Sequence, residues 1–312
     1  MVFGTIWGAL VSRRGPGRSA PRLVLGLVGL VTLACGGSGG LGAPDPIPTP
    51  PPPPPRVVII SVDGLRPDGL LQANALNMVG MATRGAFTWQ GQTVMPSNTL
   101  PAHASMLTGY PPSMHGVTWD EYQTDRTLNV ATVLSAVHAE GLRTVMVVGK
   151  SKLLHLNVPG TCDSYILTGR GDADIANEAV VQLSTSFALM FVHFPDTDLA
   201  GHASGWLSAA YEARIAAADA AVGRILAALP PNTTVILTAD HGGTGRNHGS
   251  ANSVDMTIPW IIIGPMVPPN HPLTQRVSVM DTAATAAYVL GLTLPPDAKG
   301  KPVLEAFTAP LP

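Results

Sequence analysis

Acidic and imidazole side chains recur in this chain at spacings that suit metal-assisted hydrolysis. Asp63 directly follows the run Val57-Val58-Ile59-Ile60-Ser61-Val62 and precedes Gly64, a residue whose freedom at positive φ lets the backbone turn sharply. Asp198 and His202 lie four apart in Asp196-Thr197-Asp198-Leu199-Ala200-Gly201-His202, so a helical turn would put both on one face. Thr238-Ala239-Asp240-His241-Gly242-Gly243 sets a carboxylate beside an imidazole, and Asn247-His248-Gly249 adds another imidazole seven residues past His241. Adjacent side chains on a strand point to opposite faces. Asp240 and His241 can therefore share a site only where the chain has left its ladder, which the Gly pair permits. Carboxylate and imidazole suit zinc or manganese. Two such clusters could hold the attacking and the leaving oxygens of a displacement. Singly, each element is ordinary: an Asp at a strand end is commonly a cap, and a lone His is commonly a satisfied polar side chain. Four of them at one predicted edge carry the reading.

The nucleophile candidate lies in Met95-Pro96-Ser97-Asn98-Thr99-Leu100-Pro101-Ala102-His103. Pro101 suits a first helical turn, which places Thr99 near the N-terminus of a helix running towards Thr108. Backbone N–H groups there favour an anion such as phosphate. A threonine hydroxyl is a weak nucleophile at neutral pH until a metal stabilises its alkoxide. Without the metal ligands, Thr99 would read simply as a helix cap.

These side chains need a frame that brings distant segments to one edge. Short apolar or β-branched runs at residues 57–62, 144–148, 188–192, 234–238 and 260–263 read as strands buried on both faces of a parallel sheet. Between them, residues 130–139, 172–183, 208–229 and 281–290 carry helical patterns. The expectation is an α/β fold, a sandwich with a mainly parallel central sheet and helices on both faces. In open α/β sheets the ligand crevice lies beyond the carboxyl ends of the strands, where Asp63, Asp198 and Asp240 are expected.

Composition bounds the rest. The chain has 312 residues, 46% of them apolar and 12% charged, which is ample for one substantial core. Formal net charge is −2, so no basic excess supports a nucleic-acid-binding role. Cys35 and Cys162 are too few and too far apart for a disulfide scaffold or a Cys-based zinc site. Arg13, Arg14, Arg18 and Arg22 precede an uncharged apolar run, residues 23–34, short for a membrane span and suited to a signal-peptide core. Leu33-Ala34-Cys35-Gly36-Gly37 resembles the bacterial lipoprotein cleavage and acylation box, although Thr32 fits it poorly. The expected layout is a signal peptide at 1–34, a Gly/Ser/Pro-rich tether at 35–55 with its proline run at 50–55, and a catalytic domain at 56–312. Such a chain is exported, periplasmic or at the cell surface, and meets a membrane only through an N-terminal lipid on Cys35. Without the four leader arginines, 14 basic residues face 20 acidic ones.

The order Val62-Asp63-Gly64, Asn98-Thr99-Leu100-Pro101-Ala102-His103, Asp198-x-x-Gly201-His202, Ala239-Asp240-His241-Gly242 and His248-Gly249 resembles the alkaline phosphatase superfamily. Within it the match is to the type I phosphodiesterase/nucleotide pyrophosphatase family in a compact bacterial form, and it covers the chain from Arg56 to about Leu294. The resemblance implies an alkaline-phosphatase-like three-layer sandwich and a hydrolase acting on phosphoric esters. It implies two zinc ions, with manganese or another divalent ion as alternatives. One would be held by Asp63, Thr99, Asp240 and His241, and the other by Asp198, His202 and His248. It further implies that Thr99 attacks phosphorus in line to give a phospho-threonine, and that a small-molecule phosphate ester or nucleotide is the substrate.

Two departures qualify the resemblance. Where many relatives carry an asparagine that binds a non-bridging phosphate oxygen, His115-Gly116-Val117-Thr118-Trp119-Asp120 offers Asp120, which when ionised only accepts hydrogen bonds. Either the alignment differs there, the carboxyl is neutralised, or the phosphate is held otherwise. Little sequence is also left for the extra lobes of larger relatives. Lys150 is a candidate substrate contact, as are Trp119, Tyr122, Lys152 and His155, each equally readable as packing or surface. Sulfatases share the architecture but use a modified Cys or Ser in a Cys/Ser-x-Pro-x-Arg context, which Thr99-Leu100-Pro101-Ala102-His103 lacks. A phosphomonoesterase is the alternative activity, and a non-catalytic surface module the alternative of another class.

Overall fold

A computed structural model describes residues 53–309. The expected leader, Cys35 and all but the last residues of the tether lie outside the described residues. The strands are β1 (Arg56–Val62), β2 (Ala86–Gln92), β3 (Arg143–Val148), β4 (Ser164–Leu167), β5 (Phe187–Phe194), β6 (Thr233–Thr238), β7 (Thr257–Ile263) and β8 (His271–Pro272). They form one sheet in the order β4-β3-β5-β1-β6-β7-β2-β8. The block β4-β3-β5-β1-β6 is parallel throughout. One of its inner strands, β1, shows why the apolar run is continuous: Val57, Val58, Ile59 and Ile60 are fully buried, because helices cover both faces of a parallel sheet.

All five strands expected from apolar runs are present. The 260–263 segment differs in direction, since β7 pairs antiparallel with both β6 and β2. The chain between β6 and β7 is spent on the loop carrying Asp240, His241 and His248 and never crosses back to the far edge, so β7 re-enters from the catalytic side. The strands that apolar runs did not announce are marginal ones. β2 has largely half-buried residues and a register shift between Thr88 and Gly91, and β4 has four residues.

The helices are α1 (Pro67–Gln72), α2 (Leu76–Arg84), α3 (Thr99–Thr108), α4 (Pro112–His115), α5 (Val133–Ala139), α6 (Asp172–Leu183), α7 (Asp196–Ser204), α8 (Ala209–Ala227), α9 (Ser253–Met256) and α10 (Asp281–Val289). α1, α2, α6 and α7 gather around α8, while α3, α4, α5 and α10 form a second group. α5 starts later than the pattern at 130–139 suggests. Thr132 accepts from Ser135 N at 3.1 Å, and Ser135 Oγ accepts from Thr132 N at 3.2 Å, a reciprocal cap that sets the first turn. The parallel strands β1, β3, β5 and β6 all end at one edge, and the segments leaving those ends build the site.

Candidate functional site

Three turns bring the carboxylates together. After β1 the chain turns at Gly64, whose φ is +67° and whose added Cβ would lie 3.2 Å from Asp198. Gly64 therefore serves twice: it takes a conformation other residues resist and lets the loop after β5 approach the end of β1. After β6, Ala239 and Asp240 have left the ladder, so Asp240 and His241 turn to one site, and both are fully buried. α7 puts Asp198 and His202 on one face, as their spacing requires, with His202 Nε2 3.4 Å from Asp198 Oδ1.

Trp206 binds these turns into one unit. Its Nε1 donates to Gly64 O at 2.9 Å, and its ring lies where a side chain on Gly201 or Gly243 would have to go. It also stands edge-on to His202, with ring centroids 5.2 Å apart. Nothing in the spacing of motifs points to Trp206.

The buried polar atoms left without a hydrogen-bond partner include Asp63 Oδ1, Asp198 Oδ1, Asp240 Oδ2 and His241 Nε2. In each carboxylate the other oxygen is occupied. Asp63 Oδ2 accepts from His193 Nε2 at 2.8 Å and from Lys150 Nζ at 2.7 Å. Asp198 Oδ2 accepts from Lys150 Nζ at 2.6 Å. Asp240 Oδ1 accepts from the N–H groups of Gly64 and His241, both at 3.0 Å. Leaving buried acceptors bare is costly, and a cation would satisfy these atoms.

The imidazoles agree. His202 Nδ1 is 2.9 Å from Arg246 O, His241 Nδ1 2.7 Å from Gly242 O, and His248 Nδ1 3.0 Å from Ser97 O. A carbonyl only accepts, so each Nδ1 carries its proton and each Nε2 presents a lone pair, the arrangement of metal-ligating histidines. His202 Nε2 and His248 Nε2 face each other at 3.1 Å, an approach that a cation held by both lone pairs would account for. His241 and His248 stack at 3.7 Å between centroids, so the two clusters are contiguous. Ligand atoms of Asp198, His202 and His248 lie within 4.8 Å of one another, as do those of Asp63, Asp198 and His241. Asp198 thus borders both groups. Asp240 adjoins the second, with Oδ2 3.3 Å from His241 Nε2. The donor set fits two hard or borderline divalent ions.

Burial and charge set the protonation states. Burial alone would raise the Asp63 pKa, but Lys150, His193 and His241 together hold it well below the ordinary value. Burial and the Asp63 charge push Asp240 well above it, a bias that a bound dication would reverse. Burial, reinforced by His241, lowers His248 to about 4. Burial opposes the charge on Lys150, yet Asp63 and Asp198 raise its pKa above the ordinary value.

Thr99 is the first residue of α3, almost fully buried, with Oγ1 3.4 Å from Lys150 Nζ. The helix N-terminus does carry an anion, but it belongs to the protein: Leu100 N donates to Asp120 Oδ1 at 2.8 Å. Asp120 Oδ2 pairs with Lys152 Nζ at 2.9 Å. Asp120 therefore lies beside Thr99 with its carboxylate paired to Lys152. Lys150 sits between two of the candidate ligand carboxylates, Asp63 and Asp198. His155 accepts from Gln123 N at 3.0 Å and packs against Trp119 and Tyr122.

A layer of buried histidines, His103 from the Thr99 motif and His193 from outside any motif, supports the candidate ligands. His193 holds Asp63 as described. His103 Nδ1 donates to Thr99 O at 2.7 Å, lies 3.5 Å from Asp240 Oδ2, and accepts from Ser61 Oγ at 2.8 Å through Nε2. A signal existed for His193: an imidazole in an otherwise apolar buried strand needs a partner.

A family model described as type I phosphodiesterase / nucleotide pyrophosphatase matches residues 57–250, more than half of the chain. The 2,3-bisphosphoglycerate-independent phosphoglycerate mutase of Rhodopirellula baltica is 30% identical over 146 residues, 44% of this chain and 26% of that protein. Arylsulfatase K of Xenopus laevis is 28% identical over 113 residues, 33% of this chain and 21% of that protein. The chain thus spans under a third of the length of these two relatives. Murine ectonucleotide pyrophosphatase / phosphodiesterase 5, as an inactive variant in complex with AMP, superposes with a TM-score of 0.69 at 14% identity, covering 78% of this chain and 96% of that one. A 2-O GAG sulfatase superposes with a TM-score of 0.67 at 18% identity, covering 80% and 73%. These superpositions establish the alkaline-phosphatase-like α/β fold. The family match runs from β1 to beyond His248 and so takes in every residue of the candidate centre: the chain belongs to the type I phosphodiesterase / nucleotide pyrophosphatase family.

Proposed function

We propose that the chain is a two-metal phosphoesterase that hydrolyses phosphodiester or pyrophosphate bonds through Thr99. The observation that carries this reading is the set of buried, partnerless ligand atoms on Asp63, Asp198, Asp240 and His241, gathered near a threonine at a helix N-terminus. Asp63, Asp240, His241 and Thr99 would hold one ion, and Asp198, His202 and His248 the other. When bound, the ions supply positive charge that favours the deprotonated forms of the threonine hydroxyl and of water.

The bond changes fall on Thr99. Its Oγ1 gives up a proton and attacks phosphorus; the Thr99 O–P bond forms as the bond to the leaving oxygen breaks. The leaving group departs as an alcohol or nucleotide after taking up a proton. Water then attacks phosphorus, the phospho-threonine O–P bond breaks, and Thr99 regains its hydroxyl. Lys150 lies beside Thr99 Oγ1 and favours the alkoxide. The Asp120–Lys152 pair, held at the amide next to Thr99, would flank the attacked phosphorus. A cavity of about 400 Å³ on the segments that follow Asp120 and Lys152 in the chain, lined by Tyr122, Arg126, Leu128 and His155 among others, offers room for the organic part of a substrate.

A phosphomonoesterase is the second reading, favoured by Lys150 beside Thr99 Oγ1, whose charge suits a dianion. The test is turnover of a chromogenic phosphodiester and the corresponding monoester by zinc-loaded protein and by Thr99→Ala. We expect diester hydrolysis to fall by at least about 10³-fold in the alanine variant, with Thr99→Ser retaining part of it and both variants folded. Full turnover without Thr99 would place the nucleophile elsewhere, and a faster monoester reaction would favour the second reading.

A further inference from the structure

The two ligand clusters share a charge that the protein supplies itself. Lys150 lies just beyond the carboxyl end of β3, and its Nζ stands 2.7 Å from Asp63 Oδ2, 2.6 Å from Asp198 Oδ2 and 3.4 Å from Thr99 Oγ1. Its side chain is largely buried, at 14% exposure. Of each carboxylate it touches only the oxygen that the ligand geometry leaves over; Asp63 Oδ1 and Asp198 Oδ1 stay without partners. Metal ions and Lys150 therefore use different oxygens of the same two side chains, and neither must leave for the other. Their charges still interact. An ammonium between two buried carboxylates offsets a repulsion that would otherwise drive them apart, and the same ammonium opposes a dication a few ångströms away.

We infer that Lys150 is an internal counter-cation, shared by the two clusters, that keeps the centre assembled before metal is loaded and lowers its affinity for metal. The inference rests on the ligand assignment proposed above, in which Asp63 and Asp198 serve different ions. It predicts opposite effects of an uncharged replacement on two states. Metal-free protein loses stability, because two buried carboxylates lose their partner. Metal binding tightens, because nothing opposes the incoming charge. A side chain needed only for packing would lower the stability of both states alike, and one needed only to orient the carboxylates would weaken metal binding when removed.

The experiment uses the full chain stripped with a chelator, as wild type, Lys150→Met, Lys150→Gln and Lys150→Arg. Melting temperature is measured without metal, and zinc affinity and stoichiometry by competition with a chromophoric chelator. The Met and Gln variants should melt several degrees below wild type without metal and bind zinc tighter by about tenfold, at unchanged stoichiometry. Lys150→Arg, which keeps the charge, should stay close to wild type in both. Unchanged melting of metal-free Lys150→Gln, weaker zinc binding by it, or its failure to fold even with zinc would each overturn the inference. A wild-type chain that binds no zinc would instead remove the ligand assignment beneath it.

Discussion

At the scale of single residues, Asp120 is the carboxylate that, under the proposed mechanism, would set the charge around the reacting phosphorus. Its carboxylate takes the Leu100 N–H, the amide next to Thr99, and is balanced by Lys152. A phosphate monoester brings up to one more negative charge than a diester. At about 4 Å and an effective dielectric of about 20, that extra charge costs on the order of 4 kcal/mol against an unpaired carboxylate, and Lys152 reduces the figure. Asp120→Asn keeps an oxygen for Leu100 N–H and adds an N–H donor. The expected outcome is that monoester turnover rises proportionally more than diester turnover, read as the ratio of the two kcat/KM values. A ratio that falls or stays fixed would mean that Asp120 does not face the substrate.

At the scale of elements, α7 is aimed by its neighbour α6. Asp196 N donates to Asp172 Oδ1 at 3.2 Å, so the first residue of each helix lies at the N-terminus of the other. Both first turns favour negative charge, but two close carboxylates do not. Burial, followed by the Asp196 charge, pushes Asp172 up to about 8. The folded protein therefore keeps a proton that the unfolded chain has lost from about pH 4 upward. Folded protein binds more protons across that window, so stability falls as pH rises through it and levels off above about 8. Asp172→Asn retains an acceptor for Asp196 N–H without the titration. Its melting temperature should gain on wild type progressively between pH 5 and pH 8, and the gain should stop growing above that. A difference independent of pH would show that Asp172 is charged throughout.

At the scale of the whole molecule, the centre joins segments leaving β1, β3, β5 and β6, so its electrostatics bear on the stability of the entire domain. Without ions, Lys150 with His193 and His241 offsets the charge of Asp63, and Lys150 also pairs with Asp198. A ligand bound only by folded protein stabilises it by RT ln(1 + [L]/Kd), about 4 kcal/mol per site at a thousandfold excess over Kd. Chelation should therefore lower Tm by several degrees, and zinc should restore it together with two ions per chain by elemental analysis. A Tm indifferent to chelation would argue against a metal centre. The stripped protein should also be acid-labile. Burial holds His103, His193 and His248 below their ordinary value near 6.5, with His248 at about 4. Unfolded chains take up those protons first, so stability is lost as pH falls from about 6.5 towards 4.

The chain's own order of residues determined the strands and the ligand types. Short β-branched runs such as Val57 to Val62 read as sheet interior, a spacing of four placed Asp198 and His202 on one helical face, and glycines marked where the backbone must turn. Thr99 was legible because Pro101, two residues on, announces the first turn of a helix. What tertiary structure decided concerns pairs far apart in sequence. Local periodicity says nothing about which oxygen of Asp63 meets His193 and Lys150, nor about Trp206 closing on Gly64, Gly201 and Gly243. Nor could it fix the direction of β7, which depends on where the preceding loop is spent. Lys150 and Lys152 are two residues apart and chemically alike, yet one lies among the ligand carboxylates and the other neutralises Asp120. Side chains of one type receive different roles from the charges that folding brings to them, and those charges arrive from other strands.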